Sequence, residues 1–115
     1  MLLESDRNRI QHMLDAANQA LKFVQNTSLS ELPNDVPLQH LLVRNLEIIG
    51  EAASRITPEF RNAHPEIPWH RLIGMRNRLI HAYFDINMVV VWTTVVQFLP
   101  ELLDALKSIV TESEG

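Results

Sequence analysis

The strongest constraint on the fold is the spacing of the apolar residues, which recur every three or four positions over most of the chain. This spacing is typical of one face of an α-helix. The first stripe predicts a helix from about residue 5 to residue 26 and consists of Ile10, Met13, Leu14, Ala17, Leu21 and Val24. A second stripe from Leu38 to Ile56 predicts another long helix. The stretch between them, 27–37, is rich in turn-forming residues and predicts a loop.

Prolines divide the second half of the chain. Thr57 followed by Pro58 is typical of an N-cap with proline at the first helical position, so a short helix through Ala63 is predicted. Pro65 and Pro68 interrupt the chain again. A third long helix is predicted after Pro68, with apolar positions at Trp69, Leu72, Ile73, Leu79 and Ile80.

The last segment admits two local interpretations. The β-branched run 89–96 could form a strand. The apolar pattern continues from Met88 to Val110, however, which is far longer than a usual strand and favours a helix that Pro100 should bend or divide. We therefore predict one all-α domain over residues 1–115, an up-down bundle of four main helices plus a short helix.

Composition excludes several classes of site. The chain has 115 residues with no cysteine and only three glycines, so disulfides, thiolate metal sites and glycine-rich phosphate loops are not expected. The five histidines never fall at the spacing of a helical zinc site, and we expect no metal and no cofactor. The apolar stretch 86–99 is interrupted by polar residues and is judged too short to span a bilayer, so a soluble cytoplasmic protein without a membrane partner is expected.

Charge is unevenly distributed along the chain. The formal net charge of -4 argues against non-specific attraction to nucleic acid. The segment from Arg61 to His81 contains four arginines and a single acidic residue, Glu66. Any contact with RNA must therefore be local.

The segment from Arg76 to Tyr83 concentrates the groups that RNA cleavage requires. Without a metal, that reaction needs a base, an acid and positive charge for the developing phosphorane. Arginine suits the phosphate and histidine the proton transfers. On a straight helix Arg76 and Tyr83 share a face, whereas His81 lies about 140° away. We expect the helix to end near Ile80 so that His81 swings back, and two copies of the motif to meet across a two-fold axis.

Each of these residues also has a structural interpretation. An arginine and a histidine near a helix end can simply be solvated. Glu47 and Glu51 stand at helix-pair spacing from Arg44 and Arg55, which favours ion pairs over catalytic carboxylates. Candidates for supporting the site are Asn77, Arg78 and Glu47. Trp69 and Trp92 are expected to be core anchors rather than platforms that stack on bases, and His64 and His70 to be surface residues.

The motif Arg-x-x-x-x-His-x-Tyr at residues 76–83 resembles that of the HepT-type HEPN ribonuclease toxins, including the polar Asn77 beside the arginine. The segments 44–53, 64–69 and 73–77 also resemble that family, so the similarity covers nearly the whole chain. Ala82 departs from the family pattern, since many relatives carry glycine there.

The resemblance implies an all-α homodimer in which Arg76 and His81 of each protomer contribute to metal-independent RNA cleavage. It also implies the toxin role in a type VII-like toxin–antitoxin pair, with a minimal nucleotidyltransferase as antitoxin. In that pairing Tyr83 would be the acceptor for AMP transferred from ATP. The alternative is a non-catalytic helical dimer that binds the nucleotidyltransferase through its Arg and His residues.

Overall fold

A computed structural model describes residues 3–81 and 85–114 of the chain. Within this part the fold is all-α and contains no strand, as predicted. The helices in chain order are α1 (Glu4–Val24), α2 (Val36–Arg55), α3 (Pro58–Ala63), α4 (Trp69–His81), α5 (Met88–Thr93) and α6 (Leu99–Glu114). A 3-10 turn at Leu32–Asn34 precedes α2, and a π-helical turn at Thr94–Phe98 joins α5 to α6. The four main helices are α1, α2, α4 and the rod formed by α5, the π turn and α6.

The rod settles the ambiguity of the valine-rich segment in favour of a helix. Pro100 does not divide it, which corrects one of the two outcomes expected for this proline. Instead the turn before it widens, and the Leu99 N–H donates to the Thr94 carbonyl five residues earlier. Proline has no N–H to give to the regular ladder, so a wider turn at this point lets the helix continue.

The length of this rod also corrects the expectation that the apolar stretch is too short for a membrane. The continuous helix over Met88–Glu112 has 25 residues and is apolar enough, by length and composition alone, to cross a bilayer. Core helices of soluble proteins meet the same criterion. In this bundle the rod buries Leu99, Leu106 and Ile109 against the other helices.

The core forms around α2, which packs between α1 and α4, while α1 also contacts α6. Large side chains from all four main helices are fully buried there, among them Ile10, Met13, Leu42, Leu46, Ile49, Leu72, Leu99, Leu106 and Ile109. Burying side chains of this size contributes about 1.5–3 kcal/mol each. Trp69 belongs to this core as predicted, and its indole N–H donates to the His64 carbonyl at 2.9 Å. Trp92 is partly buried against the same core.

Side-chain caps define where the helices begin. Asp35 accepts a hydrogen bond from the Leu38 N–H at 3.0 Å, so α2 starts at Val36 and takes up the end of the predicted loop. Thr57 accepts from the Phe60 N–H at 3.3 Å, which confirms the predicted cap of α3. Asn87 accepts from the Val89 and Val90 N–H groups at the start of α5.

A buried carboxylate connects α1 to the end of α2. Asp6 is only 2% exposed and accepts from both the backbone N–H of Thr57 at 3.0 Å and its hydroxyl at 2.8 Å. Both carboxylate oxygens are therefore satisfied, as burial of a polar group requires. The contact fixes α1 and α2 as antiparallel neighbours, because it joins the first turn of α1 to Thr57, two positions beyond the end of α2.

The approach of α2 to α4 depends on Gly50. A Cβ atom added there would lie 2.3 Å from the Arg76 Cβ and 2.6 Å from the Leu72 carbonyl oxygen. Real Cβ contacts are never that short, so only glycine permits this helix separation. Gly74 on α4 is different, because a Cβ there would meet only the flexible end of Arg78 at 3.4 Å.

These two glycines provide a matched test of the packing. We expect Gly50→Ala to lower the free energy of unfolding by about 1–3 kcal/mol, because α4 must move away from α2. Gly74→Ala should instead raise it by roughly 0.5–1 kcal/mol, because alanine is the better helix former and has room. Urea denaturation followed by circular dichroism measures both. Equal effects of the two substitutions would contradict the close approach at Gly50.

Candidate active site

Arg76 lies in an open groove that crosses the outer face of α2 between α1 and α4. The groove has a volume of about 200 Å³. We call it the Arg76 groove. The charged and titratable side chains that line it are Arg9, His12, Arg44, Glu47, Glu51 and Arg76. Three helices that are distant in sequence thus bring their polar side chains to one surface.

The guanidinium of Arg76 is held from two sides. One nitrogen, Nη2, lies 2.8 Å from Oε2 of Glu51, and Nη1 donates to the side-chain oxygen of Asn77 at 3.1 Å. The side chain is 33% exposed, so one side of it remains open to solvent. Glu51 follows Gly50 directly, and the close approach of α2 and α4 at that glycine brings its carboxylate within reach of Arg76.

Glu51 is shared between two arginines. Its other oxygen, Oε1, accepts from Nε of Arg55 at 2.8 Å, which confirms the predicted pair of these two residues. The Arg55 hydrogen bond is the largest contribution that holds the pKa of Glu51 below its ordinary value of 4.5; the charges of Arg76 and Arg9 lower this pKa further, while desolvation opposes them. Glu51 is therefore ionised at neutral pH. Its pairing persists above the ordinary pKa and is lost only as the pH falls through the lowered one.

Glu47, which we expected to support the site, lies one turn before Glu51 and lines the same groove. Its carboxylate stands 4.0 Å from Arg44, so the second predicted ion pair is also present. The carboxylate that contacts Arg76 is Glu51.

His81 is the last residue of α4 and is exposed. The helix was expected to end near Ile80, and α4 ends one residue later; because it still includes His81, the expectation that this histidine swings back was wrong. Its regular geometry keeps the histidine about 140° around the helix from Arg76. Tyr83 and Ala82 lie outside the described residues.

Arg78 lies on the opposite flank of α4 from Arg76. It lines a second cavity of about 320 Å³ between α4, α5 and α2, together with Arg71, Met75 and Val90. Arg71 places its guanidinium 4.2 Å from the centre of the Phe98 ring. The arginines that cluster in sequence are therefore spread over different surfaces of the fold.

The basic side chains that share a surface with Arg76 come from other helices. Arg9 and His12 on α1, and Arg44 on α2, line the Arg76 groove. Sequence reasoning missed them, since only the packing of three helices brings them to α4. The available signal was the three-residue spacing of Arg9 and His12 on the polar face of α1.

Two histidines that do not line this groove, His64 and His70, differ in exposure. His70 is exposed, as expected. His64, also expected at the surface, is partly buried; its ring contacts Phe60, and Nδ1 lies 3.0 Å from a carboxylate oxygen of Glu66. In residues 3–81 and 85–114 no three histidine or acidic side chains come together as a metal ion would require.

A half-buried arginine with one open side can bind a phosphate, and an exposed histidine can carry a proton. The comparisons with known proteins agree with that chemistry. The family model described as "Ribonuclease HepT-like" matches residues 13–109. No solved structure matches the chain.

Several known proteins are similar to this chain over most of its length. The chain is 34% identical to TTE0752 of Caldanaerobacter subterraneus subsp. tengcongensis, a candidate RNase by name, over 97% of this chain and 100% of that protein. It is 36% identical to the "Probable ribonuclease HepT" of Thermococcus cleftensis, over 85% of this chain and 89% of that protein. MJ1380 of Methanocaldococcus jannaschii, also a candidate RNase by name, is 36% identical over 78% of this chain and 83% of its own length.

The family match covers most of the described helices and includes Arg76, His81 and Glu51. The partly exposed Arg76 can bind a phosphate, and the relatives are named as ribonucleases. Both observations are consistent with cleavage of RNA. The chain belongs to the Ribonuclease HepT-like family, and is accordingly an endoribonuclease.

Proposed function

We propose that this chain is the toxin of a type VII-like toxin–antitoxin pair, a metal-independent endoribonuclease whose site combines Arg76 and His81 from two copies of the chain. The observation that carries the proposal is the position of Arg76. Its guanidinium is fixed by Glu51 at 2.8 Å with one side open, while His81 of the same helix lies on another face. One copy therefore offers the phosphate-binding group without the proton carrier beside it.

The chemistry requires no group beyond these side chains and the RNA itself. A base removes the proton of a ribose 2′-hydroxyl, and that oxygen attacks the adjacent phosphorus. The bond to the 5′-oxygen of the next nucleotide breaks, and this oxygen takes up a proton. The products are a 2′,3′-cyclic phosphate and a 5′-hydroxyl. Arg76 stabilises the extra negative charge of the phosphorane, and His81 carries the proton.

Apolar surface near the motif supports the pairing of two copies. Ile80 is 42% exposed, and Val89 and Val90, at the start of α5, are 55% and 59% exposed. Large apolar side chains that remain exposed on a small domain are typical of a protein interface. A two-fold axis through this region would bring the two copies of α4 together and place His81 of one near Arg76 of the other.

We predict that Arg76→Ala and His81→Ala each reduce RNA cleavage by about 10²- to 10⁴-fold, because each removes a group that acts in the transition state. His70→Ala is the matched control, since it removes an exposed histidine from the same helix. Circular dichroism should show unchanged helix content in all three. Near-normal cleavage by either variant would remove that residue from the mechanism, and a wild-type protein that cuts no RNA would favour the interaction module instead.

Mixing the two inactive variants tests whether the site is shared. In a mixed dimer one site carries both substitutions and the other carries neither, so cleavage should return to about a quarter of the wild-type rate after equal mixing and subunit exchange. A site built within one chain predicts no recovery. A solution mass of a single chain at micromolar concentration would also contradict the proposal.

Regulation would act on Tyr83, five residues after Arg78 and seven after Arg76 in the chain. The tyrosine oxygen would attack the α-phosphorus of ATP held by the nucleotidyltransferase antitoxin, losing its proton and releasing pyrophosphate. The AMP that remains carries a phosphodiester anion and a large base. Both would oppose RNA binding at the motif, by charge and by volume.

We predict that the parent protein gains the mass of AMP and loses cleavage when treated with the antitoxin and ATP. Tyr83→Phe should do neither, because it keeps the ring but lacks the acceptor oxygen. Its cleavage without the antitoxin is the control that separates acceptance of AMP from a role in the reaction. If the variant is modified and silenced as fully as the parent, another residue is the acceptor.

A further inference from the structure

The Arg76 groove extends beyond Arg76 itself. Its far side is formed by Arg9 and His12 on α1 and by Arg44 on α2. These three side chains lie outside the motif at residues 76–83, and the cleavage reaction described above uses none of them.

Charge in the groove favours an anion. Three arginines face two carboxylates there, in a chain whose formal net charge is -4. One carboxylate, Glu51, is already shared between Arg76 and Arg55 at 2.8 Å each. The other, Glu47, stands 4.0 Å from Arg44, a long contact with an arginine whose side chain is 72% exposed. The groove therefore retains positive charge after its internal pairs are counted.

Arg9 is the most informative of the three. It is partly buried and lines the groove, yet among the side chains described in residues 3–81 and 85–112 no carboxylate lies at ion-pair distance from it. Its charge is felt by Glu51, so it faces that side of the groove. A guanidinium that gives up part of its hydration without gaining a counter-ion is suited to an anionic ligand.

His12 and Arg44 complete the surroundings of that position. His12 follows Arg9 by three residues and therefore lies beside it on the same face of α1. Its ring can donate a hydrogen bond, and the exposed Arg44 can reach across from α2. Arginine donors on both sides of a groove match the oxygens of a phosphodiester.

We infer that Arg9, His12 and Arg44 form a subsite that binds a backbone phosphate of the RNA next to the phosphate held by Arg76. The inference rests on the proposed ribonuclease function and adds where the strand runs: over the outer face of α2, from Arg76 on α4 toward α1. The subsite binds the strand and takes no part in bond breaking. It should therefore affect the binding of RNA and leave the chemical step unchanged.

The experiment measures binding apart from cleavage by using a 2′-O-methyl oligoribonucleotide, which has no 2′-hydroxyl to react. Its affinity is followed by fluorescence anisotropy over a range of salt concentrations. Arg9→Gln and Arg44→Gln should each weaken binding roughly three- to tenfold and lower the salt slope by up to about 0.7, the value for one phosphate on a single strand. Arg9→Lys keeps the charge and should recover most of the affinity.

Lys22→Gln is the matched control. It removes one exposed positive charge from the same helix, but about 20 Å further along its axis than Arg9. On cleavable RNA, the groove variants should raise KM by the same factor while kcat stays at the wild-type value. Circular dichroism confirms that each variant is folded.

The outcomes separate this subsite from the ribonuclease function. If wild-type protein cleaves RNA but the Arg9 and Arg44 variants bind like Lys22→Gln, the subsite is wrong and the function stands. A fall in kcat with unchanged KM would also overturn it, since the residues would then act on Arg76. If these variants keep their RNA affinity and lose the antitoxin instead, the groove binds a protein. A wild-type protein that neither binds nor cleaves RNA overturns both proposals.

Discussion

The close approach of α2 and α4 at Gly50 is the constraint on which the candidate site depends. Because no Cβ fits between that residue and the backbone of α4, the two helices lie closer together there than bulkier residues would permit. Glu51 is the next residue along the chain, and the short separation lets its carboxylate reach Arg76. The packing of α2 against α4 thereby determines which carboxylate pairs with Arg76. The arginine is held by these contacts before any ligand arrives, which in the proposed reaction would reduce the cost of organising the site.

An acidic protein that acts on RNA must place its positive charge where the strand binds. Here the arginines between residues 61 and 78 are divided among several surfaces, and the positive groove is assembled from three helices. Glu51 limits the repulsion among the arginines, because its ionised carboxylate pairs with Arg55 and Arg76 and also attracts the more distant Arg9. The carboxylates on α2 thus reduce the electrostatic repulsion among the arginines of the groove.

Much of the fold could be predicted from the sequence, because the helical spacing of apolar residues and the caps at Thr57 and Pro58 are local signals. The helix pairs of Arg44 with Glu47 and Arg55 with Glu51 were predictable for the same reason. The contact of Glu51 with Arg76 was not predictable, since these residues are 25 positions apart and meet only through the packing of α2 against α4. Of the two outcomes expected for Pro100, division of the helix does not occur, because the π turn before the proline lets the rod continue.

That π turn has a consequence for the whole bundle. Within an α-helix each residue rotates the following ones by about 100°, and a π turn accommodates one extra residue. The rod can thus present its first half to α2 and its second half to α1, although it is one helix. Deleting a single residue between Thr94 and Phe98 would restore a regular helix of almost the same length. It would also turn Leu106 and Ile109 out of their buried positions, so the extra residue sets the phase between two interfaces that a uniform helix could not satisfy together.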